Sequence, residues 1–140
     1  MKLFYQKSGI VEASSDIYSK TMLITWLNFK DDDAMVECCE AQLAQLELGI
    51  KVAIIDARNA KGVPSQERQK WFETSLYPTL GQRGLIAVIT VLPQSAITLL
   101  ASKRWIKSGS QFSFDSFEAN SLTTAYELAD NIVANKLELG

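Results

Sequence analysis

Apolar residues are concentrated in two short runs, VAIIDA at residues 52–57 and LIAVITVL at residues 85–92, each apolar at successive rather than alternate positions. That pattern predicts strands covered on both faces, the condition of the interior of a parallel sheet. Between the runs lies a helical pattern. Ser65 is placed to start it, Glu67, Trp71, Phe72 and Leu76 follow at helical intervals, and Pro78 bends or interrupts it because proline lacks the amide its turn would use. Gly81 and Gly84 release the chain into the second run. Strand, helix and strand in that order describe a crossover, since only antiparallel neighbours can be joined by a tight turn.

The flanking segments extend the pattern. Residues 3–7 and 10–17 are weakly strand-like and joined at Ser8-Gly9, as in a hairpin, and residues 21–29 (TMLITWLNF) are rich in β-branched and aromatic side chains on both faces. Asp31, Asp32 and Asp33 supply an N-cap and first-turn charge to a helix with the stripe Met35, Cys39, Leu43, Leu46 and Ile50, and Gly49 suits its end. After the second run, Pro93 stops the strand, and Ser95 caps a helix with Ile97, Leu100, Ala101 and Trp105 on one side and Lys103, Arg104 and Lys107 in its last turn. Residues 112–117 alternate, Phe112 and Phe114 against Ser113 and Asp115, as a strand near the sheet edge would. A closing helix starts at Asn120 or Ser121 and repeats Leu122, Ala125, Ala129, Ile132, Val133 and Leu137.

The order β-β-β-α-β-α-β-α-β-α predicts one α/β domain over residues 1–140: a mostly parallel, mixed sheet with an antiparallel N-terminal edge and about four packing helices. Leu23, Val52, Ile54, Ile55, Phe72, Ala87, Val88, Ile89, Leu100 and Ile132 are the expected core.

Composition narrows the chemistry. The 140 residues include no histidine, so Ser-His, Cys-His and His-metal mechanisms are excluded within the chain. Lys plus Arg number 14 against 16 Asp plus Glu, which argues against a nucleic-acid partner. The opening MKLFYQKSG turns polar too soon for a secretory signal, and no run approaches the length of a membrane span, so a cytoplasmic location is expected. Cys38 and Cys39 are adjacent in a helical pattern and point about 100° apart, which predicts one packed thiol and one at the edge of the stripe rather than a disulfide. A G-x-S-x-G elbow, a G-x-G-x-x-G turn, a P-loop and zinc-ligand spacing are all missing from the sequence. No catalytic residue, metal or cofactor is therefore expected.

From Trp26 onward the chain resembles the small bacterial proteins with the STAS-type fold, named for sulfate transporters and anti-sigma-factor antagonists, in the STAS/SEC14-like branch. The resemblance rests on the strand ending at Trp26, the strand ending Asp56-Ala57-Arg58, Gln69-Lys70-Trp71 followed by Tyr77-Pro78 and Gly84, then IAVITVLPQS, and finally Ser121-Leu122 with Ala125. Thr123, Thr124 and Leu128-Ala129 stand where family members commonly carry acidic residues and a Trp-Leu pair. The resemblance implies a sheet of four or five strands packed by helices, and a family in which most members have no established activity.

It also implies a switch site. Anti-sigma antagonists of this fold are phosphorylated on a Ser or Thr at the start of the helix after this strand, and Ser65 matches that place. Its surroundings, Val63-Pro64-Ser65-Gln66, differ from the family's Asp-Ser-Ser/Thr-Gly, and a plain N-cap is the better reading. Asp56 and Arg58, at the carboxyl end of an interior strand, are expected to contact a ligand or partner or else to pair with each other. Trp71 is a further contact candidate, with packing as its plain alternative. The expected function is a non-catalytic interaction or signalling module that binds a protein partner or a second copy of itself. The alternative is a small-molecule or lipid-binding domain with a pocket at the sheet, and a remoter one an unrecognised hydrolase.

Overall fold

The computed structural model describes residues 1–93 and 114–139. Six strands form one sheet in sequence order: β1 (Lys2–Lys7), β2 (Val11–Asp16), β3 (Thr21–Trp26), β4 (Val52–Asp56), β5 (Ala87–Val91) and β6 (Asp115–Ala119). The first three pair antiparallel, and β3 through β6 pair parallel. The α/β class, the antiparallel N-terminal edge and the parallel pairing of the two apolar runs are as the sequence predicts. The strand count is higher than the resemblance implies. Residues 2–7 and 11–16 form full ladder members because β2 turns Val11, Ala13 and Ser15 inward, giving the hairpin a buried face of its own.

Between strands, α1 (Asp32–Glu47) connects β3 to β4 and lies over β1 and β2. Asp31 caps it, accepting a hydrogen bond from the Ala34 amide at 3.0 Å. The next connection is one helical run in three parts: α2 (Gln66–Trp71), a π-helical turn at Phe72–Leu76 and α3 (Tyr77–Gln82). The bend expected at Pro78 takes the form of that wide turn, in which the Tyr77 amide donates to the Phe72 carbonyl five residues back. An i−5 register gives the proline ring room that an unbroken α-helical turn denies it. The last helix, α4 (Leu122–Leu139), packs on β4, β5 and β6. Ser121 caps it, its Oγ accepting from the Thr124 amide at 3.1 Å. No described helix is long and apolar enough to cross a membrane.

The sheet separates two cores. On one face Val11, Ala13, Met22, Ile24, Trp26, Ala53 and Ala57 pack with α1, the π turn and α3; on the other Val52, Ile54, Ala87, Ile89 and Val91 pack with Ala125 and Ala129 of α4. Of the expected core, Val52, Ile54, Phe72, Ala87 and Ile89 are buried, whereas Leu23, Ile55, Val88 and Ile132 are half-buried. Leu100 and the helix expected around it, with Ser95, Trp105, Lys103, Arg104 and Lys107, lie outside the described residues.

Two further expectations are corrected. Both thiols are buried, Cys38 and Cys39 alike, because α1 is enclosed over a wide arc rather than along a narrow stripe. The strand expected at 112–117 runs instead from Asp115 to Ala119. Phe114 leaves the ladder to pack edge-on against Tyr77, with centroids 5.9 Å apart, while Phe117 and Ala119 face α4.

Candidate ligand cavity

The half-burial of Ile55 and Val88 has a local cause. Both lie on the face covered by the helices, yet the side chains opposite them do not close down on the sheet. Ala53 and Ala57 on β4 and Ser116 on β6 are small, so the floor made by these strands is shallow. Phe72 and Leu76 of the π turn, with Tyr77 and Leu80 of α3, form the roof, and Met35, Cys39 and Gln42 of α1 form one wall. Trp26 and Phe29 close one end, their rings 5.6 Å apart, and a cavity of about 100 Å³ is left between these groups. An apolar cavity of ~150 Å³ accommodates the six heavy atoms of benzene, so this one suits a group of about four.

No charged side chain is among the described lining residues. Burial pushes the Cys39 thiol and the Tyr77 phenol well above their ordinary ranges, so both stay protonated at neutral pH. Cys38, just behind the wall, is pushed up to about 12 by the same cause. These thiols are poor nucleophiles, because the thiolate is the reactive form.

Two polar side chains in the lining stand out. Gln42 is only 7% exposed, and its one protein hydrogen bond runs from Nε2 to the sulfur of Cys38 at 3.6 Å, a weak acceptor. Its amide oxygen accepts nothing from the described residues. Thr90, 6% exposed on β5, makes no side-chain hydrogen bond among them either. Buried polar groups are nearly always paired, so two such orphans lining one apolar cavity call for a partner that enters it.

The residues singled out in the sequence lie elsewhere. Asp56 is buried, and Arg58 grips it bidentately, Nε to Oδ1 and NH2 to Oδ2 both at 2.9 Å, while the Arg58 amide donates to Oδ1 at 3.2 Å. This pair raises the guanidinium pKa, chiefly through the hydrogen bond to Asp56. The geometry is that of a loop anchor at the strand end. Ser65 is exposed, and its Oγ accepts from the Arg68 amide at 3.1 Å, as an N-cap does. Trp71 is half-buried beside Phe72 at 5.9 Å, with the Arg68 guanidinium 5.0 Å from its ring centroid. Arg68 also binds Asp32 through two 2.9 Å contacts and so ties α2 to the start of α1. Trp71 packs against the roof residue Phe72 but, like Ser65 and the Asp56–Arg58 pair, is not among the described lining residues.

Protein-family models, curated proteins and solved structures were compared with this chain, and none matches it.

Gln42 and Thr90 were missed in the sequence because neither belongs to a motif. A signal was nevertheless present: at about 100° per residue, Gln42 falls between Cys38 and Met35 on α1, inside the apolar arc.

Proposed function

We propose that this chain is a non-catalytic, STAS-like domain that takes a small, largely apolar molecule into the cavity between its sheet and the π-containing helical run. The observation that carries the reading is the cavity itself, an unfilled apolar space under a wide helical turn of the kind often found at functional sites. The neutral lining and the protonated thiols favour binding over chemistry. A docking role for protein partners draws less support from the sheet. On the face of β2 and β3 opposite α1 stand Glu12, Ser14, Asp16 and Thr25 beside the half-buried Leu23, a mostly polar surface.

The test combines native mass spectrometry of gently purified protein with a xenon titration followed by amide NMR. Retained ligand mass, or saturable shifts at Ile55, Val88 and Thr90 that Val88→Phe abolishes in a folded protein, is the expected result. Ligand-free protein together with no saturable shift would overturn the proposal.

A further inference from the structure

We propose that Gln42 and Thr90 are the polar contacts of the cavity and select a ligand with a neutral hydrogen-bonding group, an alcohol, ketone or amide on a small hydrocarbon body, over both a pure hydrocarbon and a carboxylate. The inference rests on the cavity being a ligand site and goes further by naming the class of ligand. Its basis is the mismatch between burial and partnering among the described residues. Among them, Gln42 offers an amide oxygen that accepts nothing and an Nε2 bonded only to a sulfur at 3.6 Å. Thr90 adds a hydroxyl that can donate or accept, on the floor of the same cavity. Together they supply both donor and acceptor, so they match a carbonyl or a hydroxyl.

Charge decides against an acid. A carboxylate entering an apolar site needs a cation or several donors to replace its water, and the described lining contains no Lys or Arg. Arg68, beside the roof through Trp71, is committed to Asp32 and stacked on that ring. Size decides against a large polar molecule, because the bulk of the lining is Met, Leu, Ile, Val and aromatic carbon with space for only a small body.

Isobutane, 2-propanol, acetone and acetate each have four heavy atoms and differ only in the group under test. Dissociation constants are read from the amide shifts of Ala53, Ile55 and Val88 in the wild-type chain and in a Gln42→Leu/Thr90→Val double variant. The preference for 2-propanol or acetone relative to isobutane is expected to be roughly fivefold or more greater in the wild type than in the double variant, about one neutral hydrogen bond's effect, and acetate to bind the wild type at least tenfold more weakly than acetone. Isobutane binding retained by the double variant proves a folded, open cavity. A relative preference unchanged in the double variant, or acetate binding the wild type as well as acetone, would each overturn this assignment while leaving the cavity a ligand site. If none of the four probes shifts these amides, the cavity is not a ligand site and both readings fall. If the double variant alone binds nothing, the single variants Gln42→Met and Thr90→Val are read instead, and a preference left intact in both overturns the assignment.

Discussion

Replacing Gln42 by Met should make the unliganded protein more stable, an unusual outcome for a substitution at a buried position. Gln and Met are similar in length, unbranched and nearly equal in helix propensity, so the backbone and rotamer terms largely cancel. What changes is the amide, which loses its water on burial and recovers only a 3.6 Å contact to Cys38 sulfur. A buried polar group left without a partner costs about 1–3 kcal/mol, and the sulfur contact returns some of that. The expected gain is about 1 kcal/mol. For a chain of 140 residues that corresponds to a rise of roughly 3–5 °C in Tm.

Gln45, one turn along the same helix, provides the control. Its Oε1 accepts the Ser15 hydroxyl at 2.6 Å, and Ser15 is itself buried. The same Gln→Met change there removes a made hydrogen bond and strands the hydroxyl, so it should cost about 1 kcal/mol. Urea unfolding followed by tryptophan fluorescence, with matched m values, measures both. Opposite signs for Q42M and Q45M are required. If Q42M destabilises as much as Q45M, the Gln42 amide has a partner in the unliganded state, and the argument from orphaned polar groups fails.

The Asp56–Arg58 pair should respond asymmetrically: Arg58→Ala is expected to cost roughly 2–3 kcal/mol because it strands a buried carboxylate, and Asp56→Asn only ~1–2, since the half-exposed guanidinium can return to water; equal losses in urea titrations would refute the anchor geometry. Ser65→Ala should cost about 1 kcal/mol through the lost cap, whereas Ser65→Asp should keep most of it, and identical behaviour of the two would show that the Arg68 amide does not depend on this side chain. Asp31, through Lys7 and then the Ala34 amide, and Asp32, through Arg68, both have pKa values lowered from 3.8. Folded values below unfolded ones mean that their contribution is present above that pH and lost as pH falls through the folded values. Asp31→Asn/Asp32→Asn should therefore flatten the fall in urea midpoint below about pH 4, an effect that added salt should shrink.

The parts of this fold that could be read from sequence are those in which one physical requirement dominates. Residues 52–57 and 85–92 had to be interior strands, because few other short elements bury side chains on both faces, and the structure pairs them in parallel. Asp31 and Ser121 were readable as caps because an exposed helix end needs an acceptor. The cavity was not readable, because it depends on distances between elements: small Ala53, Ala57 and Ser116 beneath a roof held off by a π turn. Reading by residue type also misplaced the stripe on α1. Taking Met35 as zero, Cys39 lies at about 40°, Leu46 at about 20° and Gln42 at about −20°, whereas Leu43 lies near 80°. Leu43, counted in the stripe, is half-buried, and Gln42, left out of it, is buried. A sequence selected for stability alone would place Leu or Met at that angle. Local conflicts of this kind concentrate where function opposes stability. The conflict at position 42 is matched in the same lining by Thr90 on a different element, and two independent helix and strand positions in conflict around one space are what a ligand's polar group would reconcile.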